Sequence, residues 1–114
     1  MIRLNIFRQQ INGNMVKKDI VHEIIEYIGN NQNGEYTNWY VGITDDVDRR
    51  VFGSGEHNVS KNGDRWIHCP ADSKKDAQEI EELFLAIGMD GDTGGGDDDT
   101  TIVYCYRKND HTNP

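Results

Sequence analysis

The densest run of chemistry-bearing side chains in this 114-residue sequence is Asp90-Gly91-Asp92-Thr93-Gly94-Gly95-Gly96-Asp97-Asp98-Asp99, with five carboxylates in ten residues. Carboxylates at alternate positions chelate hard cations such as Ca²⁺, but the spacing of an EF-hand loop and its terminal bidentate glutamate are absent. No lysine follows the glycines as in a phosphate-binding loop, and the local charge repels phosphate. The run reads as a solvated, flexible loop. A Zn site needs closely spaced Cys/His pairs, and only His68 adjoins one of the two cysteines, Cys69 and Cys105. Both sit in strand-like stretches and read as small apolar sheet residues in a reducing setting rather than as a disulfide framework.

Three other residues carry chemistry by their placement. Tyr40, in Trp39-Tyr40-Val41-Gly42-Ile43-Thr44, shares a strand face with Gly42, so no side chain two positions on obstructs its hydroxyl. The plainer alternative is an aromatic ring that fills space between sheet and helix. Arg50 follows Tyr40 by ten positions in a short helix; the plainer alternative pairs it with Asp46 at i,i+4 spacing. Glu81 belongs to Ala77-Gln78-Glu79-Ile80-Glu81-Glu82-Leu83-Phe84-Leu85. At about 100° per residue from Ala77, the apolar positions Ile80, Phe84 and Ile87 fall at roughly 280–340°. Glu81 then lies near 40°, bordering that stripe, whereas Glu79 and Glu82 point well away into solvent. A carboxylate beside a buried face can reach a cleft over the sheet; the alternative is an exposed glutamate paired with a lysine.

The segment Tyr40-Val41-Gly42-Ile43-Thr44-Asp45-Asp46-Val47-Asp48-Arg49-Arg50 resembles the second half of the GIY-YIG nuclease signature, and Ala77 to Leu85 resembles that family's metal-binding helix. The resemblance covers roughly residues 39–88. It implies a small α+β fold and a divalent-metal-dependent endonuclease that hydrolyses phosphodiester bonds in nucleic acid, using Mg²⁺ or Mn²⁺. It implies Glu81 as the metal ligand, and Tyr40, Arg50 and, more weakly, His57 as catalytic residues, with Gly42 and Arg49 in substrate binding. The family's first signature strand, which contributes a second tyrosine, has no counterpart in the Asn-rich Gly29–Thr37 stretch. The final strand could take its place beside Trp39–Thr44, as in a circular permutation, with Tyr104 or Tyr106 standing in; the competing occupant is an N-terminal strand. His22, His68 and His111 have no motif to support them.

Positioning these residues falls to a short series of elements. Ile2, Leu4 and Ile6 alternate in a strand over Met1–Phe7, and Ile20, Val21, Ile24, Ile25 and Ile28 recur at helical spacing over residues 15–28, closed by Gly29. Residues 30–38 read as loop and Trp39–Thr44 as a strand. A short helix opens around Thr44–Asp46, buries Val47, Val51 and Phe52, and ends at Gly53-Ser54-Gly55. Arg65–Cys69 is a further strand. Ser73 and Asp76 cap a helix over Lys74–Ile87 with Ala77, Ile80, Leu83, Phe84 and Ile87 on its stripe. Thr101–Arg107 is the last strand, and Asn109–Pro114 reads as a frayed tail. The expected fold is α+β, a three- or four-stranded mainly antiparallel sheet flanked by helices. It forms one domain over 1–108, with 1–38 an extension of a 39–108 core.

Twelve Lys and Arg oppose 20 Asp and Glu, a net charge of −8, and 35% of residues are hydrophobic. Acidity argues against tight, sequence-blind DNA binding, which gains affinity by neutralising phosphates. Residues 1–57 hold 6 basic and 8 acidic side chains, and residues 58–114 hold 6 and 12, so the acid concentrates late in the chain, away in sequence from Tyr40 and Arg50. No apolar run approaches the roughly 20 residues of a membrane span, which argues against a membrane protein, and the two cysteines point to a reducing, cytoplasmic setting. The rival reading of the same fold is a catalytically degenerate module that binds a protein partner or serves as one subunit of an assembly.

Overall fold

Alternating side chains in three strands of this sequence leave each strand apolar on one face and aromatic on the other, and the architecture follows from covering both. The computed structural model describes residues 14–93 and 95–114. They form helix α1 (Lys17–Ile28), a 3₁₀ segment (Gln32–Asn38), strand β1 (Trp39–Thr44), the short helix α2 (Val47–Arg50), strand β2 (Trp66–Pro70), helix α3 (Lys74–Ala86), strand β3 (Asp90–Gly91) and strand β4 (Ile102–Arg107). The strand expected over Met1–Phe7 lies outside the described residues. No helix among the described residues is long and apolar enough to cross a membrane.

The four strands make one sheet in the order β2-β4-β1-β3. β4 runs antiparallel to both β1 and β2. β3 pairs in parallel with Tyr40 and Val41 alone, so the sheet is mixed and four-stranded rather than purely antiparallel. A two-residue strand following a helix carries no alternation by which to read it.

On one face Trp39, Val41, Ile67, Cys69, Val103 and Cys105 are buried against Ile20, Ile24 and Ile28 of α1 and Ala77, Ile80 and Phe84 of α3. Both cysteines are free thiols in this layer. The α3 stripe is narrower than its sequence implies. Leu83 and Ile87 are 42% and 40% exposed, and Glu81 takes a buried place instead. Ser73 caps α3 by accepting from the Asp76 amide at 3.1 Å, and Asp46 caps α2 by accepting from the Arg49 amide at 3.1 Å. On the opposite face Tyr40, Tyr104 and Tyr106 pack with Val51 and Val59 in a second, smaller cluster.

Two polar features fix the frame. Glu35, in the 3₁₀ segment, accepts from Trp39 Nε1 and Arg107 Nε, each at 2.9 Å, and so clasps the terminal β1–β4 pair Trp39 and Arg107. The residues 109–114, expected to fray, are folded back. The Thr112 hydroxyl accepts from the Asn109 amide and donates to the Asn109 carbonyl, Asn109 Nδ2 and His111 Nε2 meet the Asp64 carboxylate at 2.8 and 2.6 Å, and Thr112 is buried. Polar composition suggests solvation, but here Asn109, His111, Thr112 and Asn113 serve a turn or reach back to residues 56–64.

The Arg107 and Trp39 hydrogen bonds hold the Glu35 carboxyl down at about 2, against an ordinary 4.5. A depressed carboxylate stabilises the fold above its unfolded value and loses that contribution as pH falls through the folded one. Replacing Glu35 with Gln should therefore cost about 1 kcal/mol at neutral pH, allowing for solvent screening. In denaturant titrations the gap to wild type should close between pH 4.5 and 2. A gap independent of pH would show that the carboxylate charge is not what clasps the strands.

Candidate active site

Gly42 is the position on which the site is built. It stands opposite Tyr104 across the β1–β4 ladder, and the Tyr104 ring lies directly over it. A Cβ at Gly42 would fall 2.4 Å from Tyr104 Oη and 2.5 Å from Cζ, far inside van der Waals contact. The space above Gly42, which sequence spacing assigns to an approaching substrate, is thus taken up largely by Tyr104. Tyr106, opposite Tyr40, stacks on its ring at 5.3 Å. The final strand therefore does lie beside β1, with both its tyrosines on the Tyr40 face.

The hydroxyl end of this aromatic row opens into a cleft of about 410 Å³ whose walls include Tyr40, Gly42, Arg50, Glu81 and Tyr104. Ile43, from the other sheet face, also lines it. The cleft sits at the edge of β1, where β3 stops after pairing Val41 and leaves the rest of that edge uncovered. Glu81 enters from the flank of α3 that borders its apolar stripe. It is 2% exposed, its carboxylate accepts no hydrogen bond from the described residues, and no polar atom among them is both buried and unpartnered, so its oxygens open onto the cleft. Burial, reinforced by the nearby Glu82 and Asp92 charges, lifts its pKa to about 7.

Arg50 is held at the opposite wall. Its Nη1 donates to Glu56 Oε1 at 2.6 Å, so the partner is Glu56 and not Asp46. Burial opposes its charge, but the Glu56 hydrogen bond and the neighbouring Tyr104 and Tyr40 hydroxyls outweigh that and bind its proton more firmly. Arg49 points elsewhere, toward Asp45 at 3.4 Å with its side chain 56% exposed, and does not line the cleft.

His57 lies behind the tyrosines rather than in a solvated loop, at 1% exposure. Its Nε2 meets Tyr104 Oη at 2.7 Å, its Nδ1 meets the Asn113 carbonyl at 2.6 Å and Tyr106 Oη at 2.9 Å, and its ring lies 4.6 Å from that of Tyr40. Burial lowers its pKa, so the imidazole is neutral at neutral pH. Burial raises the pKa of Tyr40 and, further, those of Tyr104 and Tyr106, so all three hydroxyls keep their protons. The remaining histidines stay outside: His68 stacks on Trp66 at 5.6 Å, His22 faces Glu26, and His111 anchors to Asp64.

The acidic run reaches the site as well. Asp92, Thr93 and Gly95 line the cleft although they are distant in sequence from Tyr40 and Arg50. Charge counting along the chain separates this loop from the site; the parallel β1–β3 pairing brings it there. No set of three or more His, Cys, Asp or Glu groups suited to a metal occurs among the described residues. A nearly buried carboxylate with no hydrogen-bond partner among the described residues, and a second carboxylate on the same cleft, nonetheless fit a hard divalent ion. Mg²⁺ typically takes one or two carboxylates and completes its shell with waters and substrate phosphates.

Comparisons with protein-family models, with curated proteins and with solved structures returned no match to this chain.

Tyr104 cannot move aside for a Gly42 side chain, because its hydroxyl is tied to His57 and its ring is packed against Tyr40. Replacing Gly42 with Ala should therefore lower unfolding stability by about 1–3 kcal/mol, the usual range for overpacking. Urea titration giving a wild-type midpoint would contradict the packing described.

Proposed function

We propose that the cleft is the active site of a GIY-YIG-like, divalent-metal-dependent endonuclease that hydrolyses phosphodiester bonds in nucleic acid. The observation that carries this reading is Glu81. No described residue donates to its carboxylate, which is nearly buried, so its charge is favoured only when a cation meets it from the cleft. Here it shares a cleft with an arginine and two tyrosine hydroxyls. A Mg²⁺ or Mn²⁺ ion held by Glu81, with Asp92 as a further oxygen donor, supplies Lewis-acid polarisation of the phosphodiester.

The chain's own residues do the rest. Arg50, its charge secured by Glu56, donates N–H bonds to the non-bridging phosphoryl oxygens and stabilises the charge that grows on them. Tyr40, whose hydroxyl is not bonded to any described residue, orients the attacking water. Tyr104 offers its oxygen lone pairs to the same water. Because every tyrosine here keeps its proton, none serves as base by prior ionisation; proton removal needs an acceptor behind the hydroxyl. His57 and Gly42 support this arrangement from beneath, and Arg49 has no part in it.

One observation favours the rival reading, a degenerate binding module. Glu81 and Asp92 outweigh Arg50 in the cleft, and Arg50 is already paired with Glu56. A basic protein segment would suit such a surface without any chemistry. A divalent ion would cancel the two carboxylates and leave Arg50 to meet a phosphate.

Cleavage assays on single-stranded, duplex and branched substrates with a panel of divalent metals separate the two. Metal-dependent nicking should be lost in Glu81→Ala and on chelation. Glu81→Gln should also be inactive while folding at least as stably as wild type, since the change removes a buried charge that no described residue pairs. Arg50→Lys should slow cleavage by about 10²-fold, in line with loss of a preorganised transition-state donor. Undiminished nicking by Glu81→Ala, or none by wild type with any metal, would rule the nuclease out.

A further inference from the structure

We infer that the segment 109–114 is a working part of the site, fixing the tautomer of His57 so that His57 takes the proton of Tyr104. This rests on the nuclease reading for its consequence but not for its geometry. The Asn113 carbonyl oxygen is an acceptor only, so at 2.6 Å it requires a proton on Nδ1. In the neutral ring Nε2 then carries the lone pair, and the Tyr104 hydroxyl at 2.7 Å must donate to it. The phenol oxygen then keeps its lone pairs for the side on which Arg50 and the cleft lie. Tyr106 Oη, 2.9 Å from Nδ1, shares the same N–H as a second acceptor.

The carbonyl is held where it is by bonds on both sides. The Asn113 amide donates to the His57 carbonyl at 2.8 Å, its side-chain Nδ2 donates to the Glu56 carbonyl at 3.1 Å, and Asn58 Nδ2 donates to the His111 carbonyl at 3.0 Å. His111 and Asn109 then tether the segment to Asp64. A short polar segment would not otherwise be ordered, and its order converges on one imidazole.

In the reaction, a proton leaves the attacking water for Tyr104 Oη as the phenolic proton passes to His57 Nε2. The water oxygen forms its bond to phosphorus, and the bond from phosphorus to the leaving ester oxygen breaks. That oxygen takes a proton from solvent, and the imidazolium later returns one to solvent. Tyrosine ends unchanged, and the Asn113 carbonyl stabilises the imidazolium from behind. The groups facing His57 are Tyr40 on β1, Tyr104 and Tyr106 on β4, Arg50 on α2 and Glu56 in the following loop. Asn113 is thus a positioning residue acting through its backbone.

The test is ¹⁵N NMR of the histidine side chains in the full chain at neutral pH, with His57→Gln to assign the signal. His57 should show a protonated Nδ1 and a bare Nε2. A proton on Nε2, or a doubly protonated ring, would overturn the inference. Asn113→Pro removes the amide that registers the carbonyl and should yield a tautomer mixture. Asp110→Ala, an exposed change in the same segment, should keep the wild-type tautomer. Cleavage by Asn113→Pro should fall about 10-fold or more, within the usual reach of general acid–base effects. Its acid limb should shift to lower pH, because the imidazolium loses the acceptor that favoured it. A single wild-type tautomer with an unmoved pH profile in Asn113→Pro would contradict the proposal. A wild-type chain that cleaves nothing would remove the nuclease reading, while the NMR result would still decide the tautomer.

Discussion

The antiparallel register that sets Gly42 opposite Tyr104 is the constraint from which the site follows. A strand face repeats every second residue, so a slip by one position would send Tyr104 and Tyr106 to the helix side and bring Val103 and Cys105 to the cleft. Glu35 holds one end of the pairing through Trp39 and Arg107, and the aromatic row secures the middle. With that register in place, Gly42 is the only residue type that leaves room for the Tyr104 ring. The ring in turn reaches both Nε2 of His57 and the open cleft.

The sheet divides its labour between faces. The helix-covered face is apolar and supplies the core, whereas the other carries tyrosines, a neutral histidine and an arginine. Glu81 connects the two. It borders the α3 stripe closely enough to be buried, yet its side chain lines the cleft together with β1 residues Tyr40, Gly42 and Ile43. The result is a small acidic cavity with one cation on its far wall. Such a cavity is electrostatically incomplete by itself, which is what a divalent ion and a phosphate would remedy together.

Much of this was legible in the residues. Alternation over Trp39–Thr44 and Thr101–Arg107 placed the strands and their faces, and the Ser73–Asp76 cap and the 3.6-residue period placed α3. The helical wheel distinguished Glu81 from Glu79 and Glu82, because a residue's angle from an apolar stripe is a local property. Arg50 stood out from Arg49 only through the family resemblance, which places an arginine ten positions after the tyrosine. Other features depended on contacts remote in sequence. β3 is two residues long, and nothing local announces that it will lie parallel to β1 and carry Asp92 into the cleft. Nothing local marks His57 for burial, since its neighbours are Gly, Ser and Glu, while its actual surroundings come from β1, β4 and residue 113. The segment 109–114 looked like solvent-exposed tail for the same reason, since its hydrogen bonds reach back to residues 56–64. Leu83 and Ile87 fit the period of the α3 stripe, but the neighbouring helix and sheet cover less of that flank than the period implies.

The central claim is that a divalent cation sits on the Glu81 carboxylate within the cleft of Tyr40, Arg50 and Tyr104. Anomalous diffraction from crystals grown with Mn²⁺ tests it most directly. The account requires an anomalous peak in that cleft, within coordination distance of Glu81 and absent in Glu81→Gln. A cleft without a peak at saturating Mn²⁺, or a peak that persists in Glu81→Gln, would contradict it.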